Sequence, residues 1–382
     1  MELPSTTHPG KNLKSILFQP IDLGTQHLSH RVVMPALTRM RTEQTGIPGK
    51  LMVEYYQQRA TSGGLIITEG AVISETGNGY WKAPGIYTAE QVSGWKKVTS
   101  AIHEKGGVVF MQLFHVGRQS HTDLQPNSAA PLGPSVLEHD DIMVFTEKGG
   151  WVPASPNRAL EVNEITEIVG HYKRAAILAK ESGFDGVELH GANGYLIDQF
   201  LQDGSNQRSD EYGGSISNRT RLLLEVVESL IEVWGKERVG VRLGPSGRYG
   251  DMKDSDPMSL FGYVADRLNR LDIAYLHIIE PRINGIVEIE DGIQPIASAH
   301  IRKFFKNKLI AAGGFNFEEA DAILEKGDAD LVAFGRHFIA NPDLPFRLKN
   351  GLPLNPYDRS TFYGGTEIGY TDYPEYNVKD LV

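Results

Sequence analysis

The sequence predicts an α/β protein built on a single closed (β/α)8 barrel, a TIM barrel. Short apolar runs rich in β-branched residues recur along the 382 residues, and stretches with helical periodicity separate most of them. Strands that are buried on both faces give such runs, and their alternation with helices favours a closed barrel over an open sheet. We expect residues 1–382 to form one domain, with strands at 31–35, 64–69, 107–112, 185–190, 238–243, 273–278, 308–312 and 330–334.

Helical periodicity and capping residues place four helices between these strands. A Thr or Asn precedes each run, and such residues favour a helix N-terminus because their side chains accept a backbone N–H. Glu318 and Glu319 fall in the first turn of the last helix, where the helix dipole favours acidic groups. The predicted helices span 88–104, 163–179 and 219–234, with a fourth that begins at Asn316.

The connections after the third and fourth strands are the longest. Residues 115–160 are rich in Pro and Gly and are predicted to include a small hairpin. Because loops that follow barrel strands lie on the catalytic face, these extended loops are predicted to form lids or pocket walls. Segment 16–28 is predicted to close the opposite end of the barrel as an N-terminal β-hairpin lid.

Composition excludes several classes of function. The chain has no cysteine, which excludes disulfides, Cys-ligated metals and a thiol nucleophile, and we predict no metal site. A net charge of −10 without a basic stripe argues against a nucleic-acid partner. Residues 1–12 lack the features of a signal peptide and no apolar run is long enough for a membrane helix, so a soluble cytoplasmic protein is expected.

The clearest candidate for catalysis lies at the end of the fourth strand. Side chains alternate along a strand, so Glu188 and His190 are predicted to point into the barrel. Asn193 and Tyr195 follow at once in the loop. His and Asn can each donate an N–H to one carbonyl oxygen, and Tyr is a neutral proton donor at pH 7. Spacing alone does not separate this hypothesis from a structural histidine followed by a turn.

Three further polar side chains are predicted at the same level of the barrel. Arg242 points inward from strand five, where it either pairs with Glu188 or faces an electron-rich ring, and both are compatible. Gln112 ends strand three in the inward phase, and its amide can bind a heterocycle with imide-like edges. Thr38 follows strand one. Capping of loop starts is the alternative explanation for Gln112 and Thr38.

The loops after strands seven and eight are predicted to bind phosphate, as in many barrels of this type. Gly313 and Gly314 precede the helix that Asn316 caps, while Gly335 and Arg336 follow strand eight. Glycines let backbone N–H groups approach an anion, and Arg can bind two of its oxygens. Two tight turns and a surface Arg remain the alternative. Phosphate binding alone does not distinguish a flavin from a sugar phosphate.

Taken together, these residues resemble the Old Yellow Enzyme family of FMN-dependent ene-reductases, which includes NADPH dehydrogenases and 12-oxophytodienoate reductases. The similarity runs over nearly the whole chain. It includes the blocks RVVMPALTRMR, FMQLFHVGR, HGANGYL, NQRSDEYGGS, FGRHFIANPDLP and TFYGGTEIGY.

The resemblance implies a role for each candidate residue. Tyr195 would protonate Cα of the substrate, and His190 and Asn193 would bind its oxygen. Backbone and side chains after strand one would line a tightly but non-covalently bound FMN, Gln112 and Arg242 would bind its pyrimidine edge, and the four phosphate-loop residues would hold its phosphate. The implied FMN residues are Pro35, Ala36, Leu37, Thr38, Gly70, Gln112, Arg242, Gly313, Gly314, Gly335 and Arg336, and Tyr80, Phe114 and Tyr363 would shape the substrate pocket.

The implied reaction is reduction of an activated alkene by NADPH or NADH through FMN, in a ping-pong sequence carried out by a monomer or homodimer. Two residues depart from the family pattern: Phe114 stands where Trp is frequent, and Gly314 where Asn is frequent. Two rival functions stay open on the residues alone. A sugar-phosphate aldolase or isomerase leaves Gln112 and Arg242 unused, and a flavin-storage protein leaves the His190, Asn193 and Tyr195 set unused.

Overall fold

Eight parallel strands close into a barrel in the computed structural model of this protein. Each strand pairs with the next one along the chain, and the eighth pairs with the first, so the ring has no open edge. The predicted fold class is confirmed. The structure describes residues 12–43, 46–137, 142–284, 287–288 and 297–377.

All eight predicted strands are present, with small differences at their ends. The third strand runs two residues beyond the predicted end, because a short strand at Ala71–Val72 pairs with its last two residues. The barrel strands are β1 (Val32–Met34), β2 (Leu65–Ile67), β3 (Val108–Phe114), β4 (Gly186–Gly191), β5 (Val239–Leu243), β6 (Tyr275–Ile279), β7 (Lys308–Ala312) and β8 (Leu331–Ala333).

Helices cover the outside of the barrel, and none in the described part of the chain is long and apolar enough to cross a membrane. The caps at Thr88 and Asn316 are as predicted. The helices are α1 (Lys50–Arg59), α2 (Ala89–Glu104), α3 (Val162–Glu181), α4 (Leu196–Leu201), α5 (Ile216–Trp234), α6 (Pro257–Arg270), α7 (Ser298–Ile301), α8 (Phe317–Lys326), α9 (Gly335–Ala340) and α10 (Leu344–Asn350).

Two of the predicted caps were wrong. Helix α5 begins one turn earlier than predicted, because Ser215 accepts the backbone N–H of Asn218 and is therefore the capping residue. Helix α3 likewise begins before Asn163, with Glu161 and Glu164 forming a reciprocal capping box. In both cases a suitable side chain upstream of the predicted one takes the capping role.

Hairpins close one end of the barrel and overhang the other. Strands Ile21–Leu23 and Gln26–Leu28 form the predicted N-terminal lid, and Leu23 and Leu28 pack with the apolar residues at the lower end of the barrel. The predicted hairpin after β3 is formed by Met143–Thr146 and Gly150–Pro153. The remaining short strands pair as Leu132–Gly133 with Arg158–Ala159 and as Ile283–Asn284 with Val287–Glu288.

Glycines determine how the barrel interior is filled. A Cβ on Gly240 would overlap the ring of Tyr275, and one on Gly186 would overlap the ring of Phe110. The two aromatic rings therefore occupy the lower interior and contact each other with centroids 5.9 Å apart. The cavity described below lies above this packed layer, toward the carboxyl ends of the strands.

Candidate active site

A cavity of about 510 Å³ opens at the carboxyl ends of the barrel strands. Its volume is within the usual range for small-molecule sites. Residues from the loops after several different strands line it, as expected for this fold. The predicted site residues that the structure brings together around it are Pro35, Ala36, Leu37, Thr38, Tyr80, Gln112, His190, Asn193, Tyr195, Arg242, Gly313, Gly314, Gly335, Arg336 and Tyr363.

The turn after β4 presents His190, Asn193 and Tyr195 to this cavity. Asn193 adopts a left-handed backbone conformation with φ of 57°, and Gly194 follows with φ of 70°. Two successive left-handed residues reverse the chain within the turn, and Tyr195 then caps helix α4. The turn is held from below by Asp198, which accepts the backbone N–H of Gly194 at 2.9 Å.

The protonation state of His190 suits a hydrogen-bond donor. Its Nδ1 accepts the backbone N–H of Ala192 at 3.2 Å, so the neutral ring carries its proton on Nε2. Burial, reinforced by the positive field of Arg242, lowers the pKa of His190 well below its usual value. The imidazole therefore stays neutral near pH 7 and keeps Nε2–H available for donation.

Tyr195 is kept in its protonated form. Burial raises the pKa of its phenol, while Arg242 and a hydrogen bond with Tyr80 act in the opposite direction. The Tyr195 hydroxyl lies 3.0 Å from that of Tyr80. Its ring packs edge-on against His190, with centroids 4.9 Å apart. Tyr195 is thus a fixed, neutral proton donor beside an N–H donor.

Two predicted contacts of the cavity do not form its wall. Phe114 is almost completely buried and packs behind His190 and Tyr195, with ring centroids 6.3 and 5.4 Å away. Gly70 lies behind Phe114, because a Cβ at Gly70 would meet that ring at 2.9 Å. Phe114 therefore packs against His190 and Tyr195 and is not among the residues that line the cavity.

A layer of buried polar side chains forms the floor of the cavity. Glu188 accepts hydrogen bonds from Gln112 Nε2 at 2.7 Å and from the Tyr275 hydroxyl at 3.1 Å, and its carboxylate lies 2.9 Å from His277 Nδ1. Burial alone would raise the pKa of Glu188, but His277, Arg242 and the hydrogen bonds more than offset this and lower it. Glu188 is therefore an ionised group within the barrel.

Arg242 does not form an ion pair with Glu188, although the carboxylate stabilises its charge at longer range. Its guanidinium donates instead to the backbone carbonyl of Ala36 at 3.3 Å, which ties β5 to the loop after β1. The Nε atom is buried and has no hydrogen-bond partner among the described residues. An unsatisfied buried donor is costly, and this one belongs to a side chain that lines the cavity.

The loops after β7 and β8 form the opposite wall. Gly313 and Gly314 have φ of 148° and 73°, conformations in which other residues are strained. Gly335 begins helix α9, and the next residue, Arg336, donates to the Tyr357 hydroxyl at 3.3 Å. Exposed backbone N–H groups and a guanidinium on one wall are suited to bind a phosphate.

Several residues of the wall were missed by the sequence analysis. Trp151 reaches the cavity from the 143–153 hairpin and contacts the rings of Tyr80 and Tyr363 at centroid distances of 6.2 and 5.4 Å. Tyr249 comes from the loop after β5. The C-terminal block TFYGGTEIGY is part of the family resemblance, but Tyr363 was the only one of its residues predicted to lie in the pocket. The cavity wall also includes Phe315, His337, Arg359 and Phe362.

Buried arginines attach this C-terminal segment to the barrel. Arg39 donates to the carbonyls of Phe362 at 2.8 Å and Gly369 at 2.7 Å, and Arg41 donates to those of Thr361 and Thr366 at 2.8 and 2.9 Å. The two side chains follow directly after the loop that bears Thr38. The segment that carries Tyr363 is therefore fixed to the cavity-lining loop after β1.

The donor set of the cavity fits an FMN group. The unpartnered Arg242 Nε and the amide of Gln112 offer donors and an acceptor to an imide-like edge. The left-handed glycines after β7 offer backbone N–H groups to a phosphate. Both features lie on the wall of the same cavity, so one elongated molecule with a polar ring and a phosphate can satisfy them together.

Comparisons with known proteins agree with this site. A sequence profile of the NADH:flavin oxidoreductase / NADH oxidase family matches residues 16–355. The 12-oxophytodienoate reductase 1 of Oryza sativa subsp. japonica is 46% identical over 363 residues, which cover 94% of this chain and 92% of the relative. Flavin oxidoreductase hxnT of Emericella nidulans is 45% identical, with 94% of this chain and 97% of the relative covered.

Solved structures show the same similarity in three dimensions. Morphinone reductase superposes with a TM-score of 0.89 at 46% identity, covering 97% of this chain and 98% of the other. The Old Yellow Enzyme homologue of Zymomonas mobilis gives a TM-score of 0.89 at 43% identity, covering 94% and 99%. The fold and the site thus define a barrel oxidoreductase that works with a flavin. The chain belongs to the NADH:flavin oxidoreductase / NADH oxidase family and is of the Old Yellow Enzyme type.

Proposed function

We propose that this protein is an FMN-dependent ene-reductase that uses NADPH or NADH to reduce the carbon–carbon double bond of α,β-unsaturated carbonyl or nitro compounds. The observation that carries the proposal is the turn after β4. It presents a neutral imidazole with its proton on Nε2, a side-chain amide and a protonated phenol to one cavity. The family membership of the protein and its similarity to 12-oxophytodienoate and morphinone reductases support the same reaction class.

The residues that would hold FMN are those of the cavity floor and of the two glycine-bearing loops. Gln112 and Arg242 would bind the pyrimidine edge, Thr38 and the backbone of residues 35–37 would contact the ring, and Arg336 with the nearby glycines would bind the phosphate. The flavin held there would supply the hydride acceptor for the nicotinamide and the hydride donor for Cβ of the alkene. The Gly70 backbone would also line the ring, and the absence of a Cβ there leaves space for Phe114.

His190 and Asn193 bind the substrate oxygen. Nε2–H of His190 and the side-chain N–H of Asn193 donate to the carbonyl or nitro oxygen, which gains negative charge as the alkene is reduced. Donors that are already positioned for a developing charge stabilise the transition state more than the ground state. Because the neutral imidazole of His190 already carries its proton on Nε2, it can donate to the substrate oxygen without a change of tautomer.

Tyr195 protonates Cα. Its raised pKa keeps the proton on the phenol until charge develops at the substrate, and general acid catalysis of this kind contributes about 10²–10⁴ in rate. Tyr80, Trp151 and Tyr363 form the aromatic wall that shapes the substrate side of the cavity. A structure of morphinone reductase with tetrahydroNAD, at 47% identity, supports a nicotinamide reductant for this chain.

One cycle of flavin reduction and reoxidation, followed by visible absorbance, tests the proposal. The purified protein should carry the absorbance of oxidised flavin, lose it on anaerobic addition of NADPH or NADH, and regain it when 2-cyclohexenone is added, with cyclohexanone as product. Since both substrates use one cavity, steady-state kinetics should be ping-pong. A protein that binds no flavin, or whose reduced form does not react with any of a panel of enones and nitroalkenes, would contradict the proposal.

His190→Ala provides a second test that needs no turnover. Phenols place an ionised oxygen where the substrate oxygen is expected, so removal of one donor should weaken phenol binding by about tenfold, the value of one hydrogen bond to a charged group. The shift of the flavin spectrum on titration with a para-substituted phenol gives the affinity. Unchanged affinity would contradict the role of His190.

A further inference from the structure

Three tyrosine side chains line the cavity, two of them buried and one half-buried. Tyr195 and Tyr80 are 7% and 3% exposed, and their hydroxyl oxygens are 3.0 Å apart. Tyr249, from the loop after β5, is only partly buried. All three side chains line the same cavity although they come from three separate loops.

Tyr80 and Tyr249 line the same cavity and are close enough to influence each other's pKa. Burial raises the pKa of Tyr249. The pKa of Tyr80 is raised by burial and by its two phenol neighbours, Tyr195 and Tyr249. All three groups are therefore protonated near pH 7, and each hydroxyl can both donate and accept a proton.

A proton donor in this position needs a route by which it regains its proton. Bound substrate fills the cavity on one side of Tyr195, and Phe114 and His190 pack on its ring. Water therefore has little access to the Tyr195 hydroxyl while substrate is bound. The hydrogen-bond partner of that hydroxyl among the described residues is Tyr80.

We propose that Tyr80 and Tyr249 form a proton relay that supplies Tyr195 from solvent during alkene reduction. The inference rests on the proposed function, since it assigns the path of the proton that Tyr195 delivers. When the O–H bond of Tyr195 breaks and the Cα–H bond forms, Tyr80 gives its hydroxyl proton to the Tyr195 oxygen. Tyr249 in turn gives its proton to Tyr80, and a water molecule at the rim protonates Tyr249. Charge and protons balance, with one proton taken from water for each alkene reduced.

Charges around the chain favour this direction. Arg242 stabilises negative charge on Tyr195, because its positive field lowers the pKa of that phenol. Tyr80 can stabilise the same charge by donating to it, and a hydrogen bond to an ionised group is stronger than one between neutral groups. Tyr80 is thus expected to act in the transition state as well as after it.

Rapid mixing of the reduced holoenzyme with 2-cyclohexenone tests the relay. Tyr80→Phe keeps the ring and its contacts and should slow reoxidation by about tenfold, the effect of losing one hydrogen bond to a charged group. Tyr249→Phe should slow it less, and the double variant should be no slower than Tyr80→Phe alone, because Tyr249 acts only through Tyr80. In a Tyr195→Phe background, Tyr80→Phe should have no further effect. An equal effect in that background would show that Tyr80 only shapes the pocket and would overturn the relay.

Hydroxyl exchange gives a readout that does not depend on turnover. With tyrosine labelled with ¹³C at Cζ, the deuterium isotope shift at Tyr195 reports how fast its hydroxyl proton exchanges with solvent. Tyr80→Phe and Tyr249→Phe should both slow this exchange in the holoenzyme with bound phenol. Tyr363→Phe is the matched control, because it removes another hydroxyl from the same cavity wall and should leave exchange at Tyr195 unchanged.

The two measurements separate the relay from the proposed function. Slowed exchange in a protein that reduces no enone or nitroalkene would support the relay and contradict the ene-reductase proposal. Enone reduction that depends on Tyr195 but not on Tyr80, together with unchanged exchange, would support the ene-reductase proposal and overturn the relay.

Discussion

Two adjacent layers of the barrel interior differ completely in character although the same strands build both. The lower layer is apolar and aromatic, with Phe110 and Tyr275 filling the space that Gly186 and Gly240 leave open. One step further along the strands, the inward positions are polar, and Gln112, His277 and the Tyr275 hydroxyl are hydrogen-bonded to Glu188. Inward-facing residues near the amino ends of the strands thus pack the core, whereas those nearer the carboxyl ends are available for binding and catalysis. The polar layer consists of Gln112, Glu188, His190, Arg242 and His277.

If the lower layer serves packing alone, its loss should affect stability and leave cofactor binding intact. Phe110→Ala should lower the free energy of unfolding by about 3–5 kcal/mol, the usual cost of a large cavity in a core. Denaturant unfolding of the flavin-free protein measures this loss. FMN affinity of the folded variant should match that of the wild type, and a strong loss of FMN affinity would show that the two layers are not separable.

The upper layer should show the opposite pattern. Arg242→Leu should weaken FMN binding by about 3 kcal/mol, or about 100-fold, because at least two hydrogen bonds to an electron-rich ring edge are lost. Stability of the flavin-free protein should change little, since the burial cost of an incompletely paired guanidinium disappears with it. Flavin fluorescence titration gives the affinity, with Arg221→Leu on the surface of helix α5 as the control. Wild-type FMN affinity in Arg242→Leu would contradict the assignment.

A smaller effect on ligand binding is expected for Gln119, which lies outside the polar layer. Its Nε2 donates to the backbone carbonyl of Asn193 at 2.8 Å, and a Cβ on Gly194 or Gly250 would meet that atom at 2.6 or 2.5 Å. Gln119 therefore positions the left-handed turn that presents Asn193. Gln119→Leu should weaken phenol binding by about tenfold, since one hydrogen bond that orients the donor is lost. Unchanged phenol affinity at unchanged FMN content would exclude this positioning role.

The smallest effect concerns the pH dependence of stability. Burial lowers the pKa of His115 to about 3. Its unfolded form binds a proton below about pH 6.5 while the folded form does not, so stability is lost as pH falls from about 6.5 toward 3. His115→Gln should reduce the slope of unfolding free energy against pH at pH 5.5 by about 1 kcal/mol per pH unit. Urea unfolding at several pH values measures the slope, with exposed His27→Gln as the control, and an unchanged slope would contradict neutral burial of His115.

Local sequence patterns predicted most of the barrel and the centre of the site. Strand period alone placed Glu188, His190 and Arg242 inward, and the glycines after β7 and β8 indicated the opposite wall, where Gly313 and Gly314 have positive φ. These features depend on residues that are near each other along the chain. The long connections after β3 and β4 could be predicted as cavity walls because loops that follow barrel strands lie on the catalytic face.

Contacts between distant segments could not be predicted in this way. The resemblance placed Phe114 at the substrate pocket, and in the structure its ring packs against those of His190 and Tyr195. Trp151 reaches the cavity only because its hairpin folds over the barrel. The N-cap of helix α5 was mispredicted for a local reason. Ser215 and Asn218 are both suitable capping residues, and the sequence alone does not show which of them takes the role.

The central claim is that Tyr195 is the proton donor of a flavin site whose reduction by nicotinamide does not need it. Rapid mixing of the Tyr195→Phe holoenzyme separates the two half-reactions. We predict that NADPH or NADH bleaches the flavin at nearly the wild-type rate, while 2-cyclohexenone restores its absorbance at least about 100 times more slowly than in the wild type. Reoxidation by cyclohexenone at the wild-type rate would contradict the role of Tyr195 and the account built on it.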